Sequence, residues 1–233
     1  MPGMLTLTPL EIEALRLSLL VSCCAVVGSL PLGIVCAWIL ARLDFPGKGL
    51  FDGIIHLPLV LPPVVVGYFL LVVLGRRGVI GSLLLHWFDF SLAFTWKGAA
   101  IASAVIAFPL MVRPVRLSLE GVDPGLEQAA RTLGCGPLRT FLTVTLPLIA
   151  PGLLTGLILG FARSLSEFGA TITFVSNIPG ETRTLPIALY SLTQVPGGDE
   201  AALRLCLISV ALAFAALLAV DILARRIQAR MKA

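Results

Sequence analysis

The sequence predicts an all-α integral membrane protein: about five transmembrane helices and a cytoplasmic helical hairpin. Three observations lead there. Mean hydropathy is +1.00, and the 233 residues are 58% hydrophobic and only 13% charged, where a soluble domain carries roughly 25% charged residues. The apolar residues lie in long runs and lack the polar–apolar alternation of a barrel strand. Between two of the runs sits a compact polar island, residues 123–147.

A hydrocarbon core about 30 Å thick needs about 20 apolar helical residues to cross it. Five segments meet or approach that length, within a single domain spanning 10–224. The first is 14–41, with no charge after Arg16, and the second is 54–74. The third, 98–119, carries Arg113 and Arg116 near its end. The fourth, 146–175, is interrupted by Arg163 and Glu167, and the fifth is 203–224. Residues 1–10 contain no basic side chain, and the apolar run that follows is too long for a secretory signal and lacks its cleavage pattern, so it reads as a retained span.

Proline punctuates several runs: Pro31, then Pro58, Pro62 and Pro63, then Pro109 and Pro114. Each removes a backbone donor and bends or ends a helix. In lipid this is tolerated where neighbouring helices or a wet cavity satisfy the freed carbonyls. One proline is most simply a bend in a packed helix. Three within six residues, followed by Val64-Val65-Val66-Gly67, point towards the lining of a cavity.

Orientation follows from where Lys and Arg collect. With the polar island in the cytoplasm, ten of the seventeen basic residues fall inside, among them Arg42, Lys48, Arg131, Arg139 and the tail residues Arg225, Arg226, Arg230 and Lys232. The expected topology is N-terminus outside and C-terminus inside. Arg76 and Arg77 then lie in an external loop, where exposed charge needs no special explanation.

Composition also excludes function classes. The five cysteines form no CxxC pair, and four of them lie inside apolar runs, where free Cys packs as a small hydrophobe. His56 and His86 are solitary, so no metal site, no cofactor and no catalytic constellation is expected. The net charge of +4 reflects basic residues at the ends of apolar segments and does not imply nucleic acid.

The polar island has its own start and stop signals. Asp123-Pro124 reads as an N-cap followed by proline at the first helical position. Leu126, Ala129, Ala130 and Leu133 then fall at i, i+3, i+4 and i+7, forming one apolar stripe, and Gly134 sits where a left-handed cap wants glycine. A second helix is expected from Pro137, aligning Leu138, Phe141, Leu142 and Thr145. So short an amphipathic helix is marginal alone. It either docks in a protein groove or lies on lipid headgroups; the small Ala129 and Ala130 and the lack of aromatic anchors favour the groove.

Glu127-Gln128-Ala129-Ala130 with Gly134, closed by Leu146-Pro147, resembles the EAA loop of ATP-binding-cassette importer permeases of the type I fold. Gln128 stands where that family more commonly has alanine. The resemblance covers essentially the whole chain. It implies that Glu127, Gln128, Ala129, Ala130, Leu133 and Gly134 form a coupling helix seated in a dimer of cytoplasmic ATPase subunits. It further implies a second copy of the chain and an external binding protein as partners, in a bacterial inner membrane. No GxxxxGK[ST] phosphate loop occurs, consistent with ATP hydrolysis on another polypeptide.

Further stretches are similar to molybdate permease subunits: Phe45-Pro46-Gly47-Lys48, the segment 56–67, Gly75-Arg76-Arg77-Gly78, and the segment 162–170. The segment 179–186 is similar in both molybdate and sulfate permeases. The resemblance implies a tetrahedral dianion as substrate, molybdate first, with tungstate and sulfate as alternatives.

Arg163 and Glu167 are four apart on the fourth segment and so share a helix face. Ionised groups within the membrane normally face the bundle interior and pair. The pair therefore either lines the translocation path or its gate, or fixes helix register. An ion-coupled secondary transporter is the competing class, but the two halves show no inverted repeat.

Overall fold

The computed structural model describes residues 8–232, with side chains described through residue 219 and at Ile222. Arg225, Arg226, Arg230 and Lys232, expected inside, lie outside the described side chains. Among the described residues every regular element is helical: α1 (Pro9–Arg42), α2 (Lys48–Val60), α3 (Pro63–Leu74), α4 (Val79–Phe88), α5 (Trp96–Glu120), α6 (Pro124–Thr132), α7 (Pro137–Thr140), a π turn (Phe141–Thr145), α8 (Leu146–Leu148), α9 (Ala150–Leu165), α10 (Gly169–Val175), α11 (Leu185–Thr193) and α12 (Asp199–Lys232).

Among the described residues three helices are long and apolar enough to cross a membrane: α1, α5 and the 199–219 part of α12. Counting each of two bent pairs as one span gives five. One pair is α2 with α3, which meet at 113°. The cause is local: Pro62 and Pro63 supply no backbone donors, and Leu61 before them is extended. The other pair joins 137–148 to α9 at 70°. The apolar run through 146–175 is interrupted again between α9 and α10, at Ser166–Phe168.

α1 starts with a reciprocal capping box. The Thr8 hydroxyl accepts from the Glu11 N–H and the Glu11 carboxylate accepts from the Thr8 N–H, with Pro9 at the first turn. α5 is the central helix, packed on α1, α9, α10, α2 and α3, and it stays continuous through Pro109 and Pro114. Its contact with α9 is very close. Gly152, Gly156 and Gly160 form a stripe at every fourth residue, and a Cβ on Gly156 would lie 2.9 Å from the Met111 carbonyl oxygen. Lipid tails are as apolar as Leu, so such close backbone approach, and not hydrophobic burial, drives helix association in a bilayer. Gly67 of α3 meets the Ala170 backbone of α10 in the same way.

Large side chains on the outer faces of α1 and α12, such as Val27, Leu32, Leu203 and Phe214, are exposed, as a lipid-facing surface requires. Ion pairs mark the two ends of the bundle. At the hairpin end Arg116 joins Asp52 (3.1 Å) and Glu120 (2.8 Å). At the opposite end Arg204 joins the buried Glu11 (2.7 Å), and the Leu185 N–H donates to Ser18 Oγ (2.7 Å).

Candidate docking hairpin and intramembrane ion pair

The polar island folds as two short helices around a glycine turn. The Asp123 carboxylate accepts from the Gly125 N–H at 2.8 Å, and Pro124 opens α6. At the other end Gly134 has φ +88°. The Cys135 N–H donates to the Ala130 carbonyl and the Gly134 N–H to the Arg131 carbonyl, the paired bonds of a Schellman cap. Gly134 stands in open space, so glycine is needed here for its backbone and not for its size.

No residue of α6 is buried. Leu126, Gln128 and Ala129 are exposed, Ala130 is half-buried, and Leu133 is 85% exposed. The apolar stripe thus finds no cover within the described chain. Glu127 behaves differently from its neighbours. Its Oε1 accepts from Arg42 Nη2 (3.2 Å) and from the buried Thr145 Oγ1 (2.7 Å). Arg42, the last residue of α1, also donates to the Val122 carbonyl at 3.4 Å. One carboxylate therefore ties the hairpin to α1 and to the turn leading into α9. That turn is π-helical, closed by the Leu146 N–H on the Phe141 carbonyl, and such turns often mark functional positions. Within the six-residue set from the sequence, Gln128, Ala129, Leu133 and Gly134 present an outward surface while Glu127 faces the protein.

The second candidate lies at the break between α9 and α10. Arg163 Nη1 and Glu167 Oε2 are 2.6 Å apart, and the Glu167 side chain is 1% exposed against 27% for Arg163. Glu167 Oε1 also accepts from the Ala170 N–H at 2.8 Å. This carboxylate caps the first turn of α10, where the free N–H groups and helix dipole favour negative charge. Its pairing is local, linking one side of the helix break to the other.

Some of the architecture around these sites is not visible from periodicity. The short helices α4 and α11 fall between the long apolar runs. α11 brings Ser191 to Asn177, whose amide donates to the hydroxyl at 2.7 Å, while Arg183 Nε donates to Asn177 Oδ1 at 2.7 Å. Just before Asn177, Ser176 has φ +64°, rare for a residue with a side chain. A polar cluster thus sits between α10 and α11, near the aromatic pair Phe168–Tyr190. Arg183, within a segment of family resemblance, was the one sequence signal for it.

Residues 29–231 match the family described as binding-protein-dependent transport system inner membrane component. The chain is 63% identical to the molybdenum transport system permease protein of Escherichia coli (strain K12) over 219 residues, covering 94% of this chain and 96% of that one. It is 58% identical to the corresponding protein of Haemophilus influenzae (95% and 97% covered). A sulfate transport system permease protein of Synechocystis is 38% identical (85% and 72% covered). Among solved structures, a bacterial ABC transporter that imports alginate superposes with TM-score 0.74 at 19% identity, covering 94% of this chain and 80% of that one. At that identity the likeness bears on the fold alone, and it agrees with the all-helical bundle built around α5. With the family match across most of its length and a relative at 63% identity, the chain belongs to the inner membrane components of binding-protein-dependent transport systems.

Proposed function

We propose that this chain is the permease subunit of an ATP-driven importer for molybdate. The observation that carries the reading is the 63% identity to a molybdenum transport permease across nearly the full length of both chains. Sulfate permeases stand further off at 38%. ATP is hydrolysed on a separate cytoplasmic subunit, and an external binding protein selects the anion and delivers it. Two copies of the chain enclose a path between them in the bacterial inner membrane, with the N-terminus outside and the C-terminus in the cytoplasm.

The hairpin is the coupling element, with Gln128, Ala129, Ala130, Leu133 and Gly134 as its contact surface. Closure of the ATPase dimer on ATP moves α6. The Glu127 tie passes that motion to α1 through Arg42 and to the root of α9 through Thr145, so the bundle opens outward and receives the anion. Hydrolysis restores the inward-facing state. Two states with different contacts are what alternating access requires. Arg163 and Glu167 lie on the path or its gate, at the α9–α10 break where a change of helix direction has a ready hinge.

The test is reconstitution of the permease with its ATPase subunits and binding protein in vesicles. ATP-dependent uptake of molybdate, competed by tungstate more strongly than by sulfate, is the expected result. Uptake by the permease alone on an ion gradient would replace the reading with secondary transport. A cysteine at Ala129 should crosslink to the ATPase subunit, and failure to do so would remove the coupling role. Glu167→Gln should leave that crosslink in place and lower transport per ATP hydrolysed; unchanged transport would take the pair off the path.

A further inference from the structure

The cytoplasmic end of α1 and the hairpin enclose a cleft of about 520 Å³. One end of it is apolar, lined by Ile34, Val35, Trp38 and Phe141, with Val35 and Trp38 exposed. The other end is polar, lined by Arg42, Glu127, Arg131 and Thr140. Three polar groups here lack partners. Thr140 is 2% exposed, yet its hydroxyl has no hydrogen-bond partner, and neither has the buried Arg42 Nε. Arg131 makes no ion pair or hydrogen bond with its side chain among the described residues. Buried donors normally find an acceptor, and here two of them belong to residues that, with a free guanidinium, border one opening.

Glu127 does not fill that role. Its Oε1 is engaged by Arg42 Nη2 and by Thr145, and Arg42 and Arg131 together still outweigh its single negative charge. The missing group is an anionic acceptor. The apolar end narrows the choice further. Ile34 lies eight residues before Arg42, about 12 Å along the helix at 1.5 Å per residue, on the part of α1 that runs into the membrane. A soluble subunit docked on the exposed stripe of Ala129 and Leu133 has no need to reach that far along α1. An amphiphile does.

We propose that this cleft binds an anionic phospholipid of the cytoplasmic leaflet, its phosphate on Arg131, Arg42 Nε and the Thr140 hydroxyl and its acyl chain along Val35 and Trp38. The charge matches, because the cytoplasmic surface is negative and attracts juxtamembrane basic residues. Trp38 matches too, as an indole at headgroup depth. The choice of leaflet, and with it the charge match, rests on the orientation proposed above. A lipid so placed would fill the seam between α1 and the hairpin beside the Glu127 tie, making the seat of the coupling element sensitive to membrane composition.

The experiment uses the permease with its ATPase subunits in nanodiscs, and needs no transport. With Trp87→Phe and Trp96→Phe, Trp38 is the only tryptophan of the permease chain; each variant is paired with an otherwise identical Trp38→Phe control, whose signal is subtracted. Brominated phosphatidylglycerol should quench Trp38 at about fivefold lower mole fraction than brominated phosphatidylcholine, the preference expected from one basic residue at a charged surface. Arg131→Gln should abolish the preference, Arg131→Lys should keep it, and Thr140→Val should weaken it. Excess inorganic phosphate should leave quenching unchanged. Equal quenching by the two lipids, or a preference that survives Arg131→Gln, overturns the proposal. So does displacement by free phosphate, or a disulfide from Val35→Cys to a second copy or to the ATPase subunit, since protein would then cover the cleft. If the tryptophan variants do not assemble, native mass spectrometry of the unaltered complex decides: selective retention of phosphatidylglycerol supports the site, and its absence ends it.

Discussion

Two glutamates organise two regions of this protein in opposite ways. Glu167 is enclosed, and both of its partners are near neighbours in sequence: Arg163 four residues before it and the Ala170 N–H three after. Glu127 is 17% exposed, and its partners come from far away: Arg42, 85 residues distant, and Thr145, 18 residues distant. The first carboxylate stabilises a local break in the chain. The second joins three elements: α1, α6 and the turn that leads into α9. The contrast separates a carboxylate that holds one local break in the chain from one that ties the hairpin to α1 and to the turn before α9. Enclosure makes Glu167 the costlier residue to lose, while connectivity makes Glu127 the more informative.

The largest effect is therefore expected at Glu167. Glu167→Ala leaves Arg163 without its counter-charge and the Ala170 N–H without its acceptor, a loss on the order of 3 kcal/mol for a buried pair broken on one side. Thermal unfolding in detergent reads it. Removing both charges, Arg163→Met with Glu167→Gln, should cost less than Glu167→Ala, because no unpaired ion then remains inside. A double variant as unstable as the single one, although glutamine keeps an amide oxygen for the Ala170 N–H, would mean that the ion pair itself, and not the charge left unpaired, sets the loss.

Glu127→Ala comes next, at about 2 kcal/mol for hydrogen bonds to a charged group. A double-mutant cycle with Arg42→Ala isolates the tie, and a coupling of at least about 0.5 kcal/mol is expected for residues in direct contact. The comparison predicts a second difference. Loss of Glu127 should loosen the hairpin against α1 while the bundle stays intact, seen as faster hydrogen exchange in α6 and unchanged exchange in α5. Uniform acceleration across both helices would erase the distinction between the two glutamates.

The same contrast explains how much was legible beforehand. The all-α membrane fold follows from hydropathy alone. The Arg163–Glu167 pair was visible because i,i+4 spacing on a helix is itself a contact rule. Asp123-Pro124 and Gly134 were visible because caps are local chemistry. The partners of Glu127 were not, since nothing in the spacing of Arg42 and Glu127 encodes their meeting; only the packing of α1 on the bundle brings them together. The motif resemblance assigned Glu127 a place in the docking helix, while its side chain turns inward. The 113° bend between α2 and α3 was half legible. The proline cluster marked the place, but a bend angle depends on what packs there, here Gly67 against the Ala170 backbone. Helices α4 and α11 were hidden because each is too short to cross a membrane and lies beside a run that is not.

A smaller effect should come from the hairpin turn itself. Gly134→Ala meets no steric obstacle, but it places a side chain at φ +88°, which costs about 1 kcal/mol. Because the Schellman bonds close α6 only at its end, the loss should fray 130–135 and leave the Glu127–Arg42 contact in place. Coupling of ATP hydrolysis to transport should fall less than for Glu127→Ala. An equal or greater fall would shift the mechanical role from the tie to the turn.

The smallest effect on the fold, and the sharpest on assembly, is expected from Leu133→Asp. Leu133 is 85% exposed and touches no core cluster, so its replacement should change stability by less than about 0.5 kcal/mol. Among the described residues nothing gives an exposed leucine on a stripe with Leu126 and Ala129 a reason to be apolar. It has one if a groove in another subunit covers it, where a carboxylate without a partner would be strongly unfavourable. Leu133→Asp should then fold like the parent and fail to retain the ATPase subunit on purification. Glu127→Ala should do the reverse, retaining the subunit and losing coupling. If both variants lose the subunit, the carboxylate also shapes the docking surface, and the division between a tie and a contact face no longer holds.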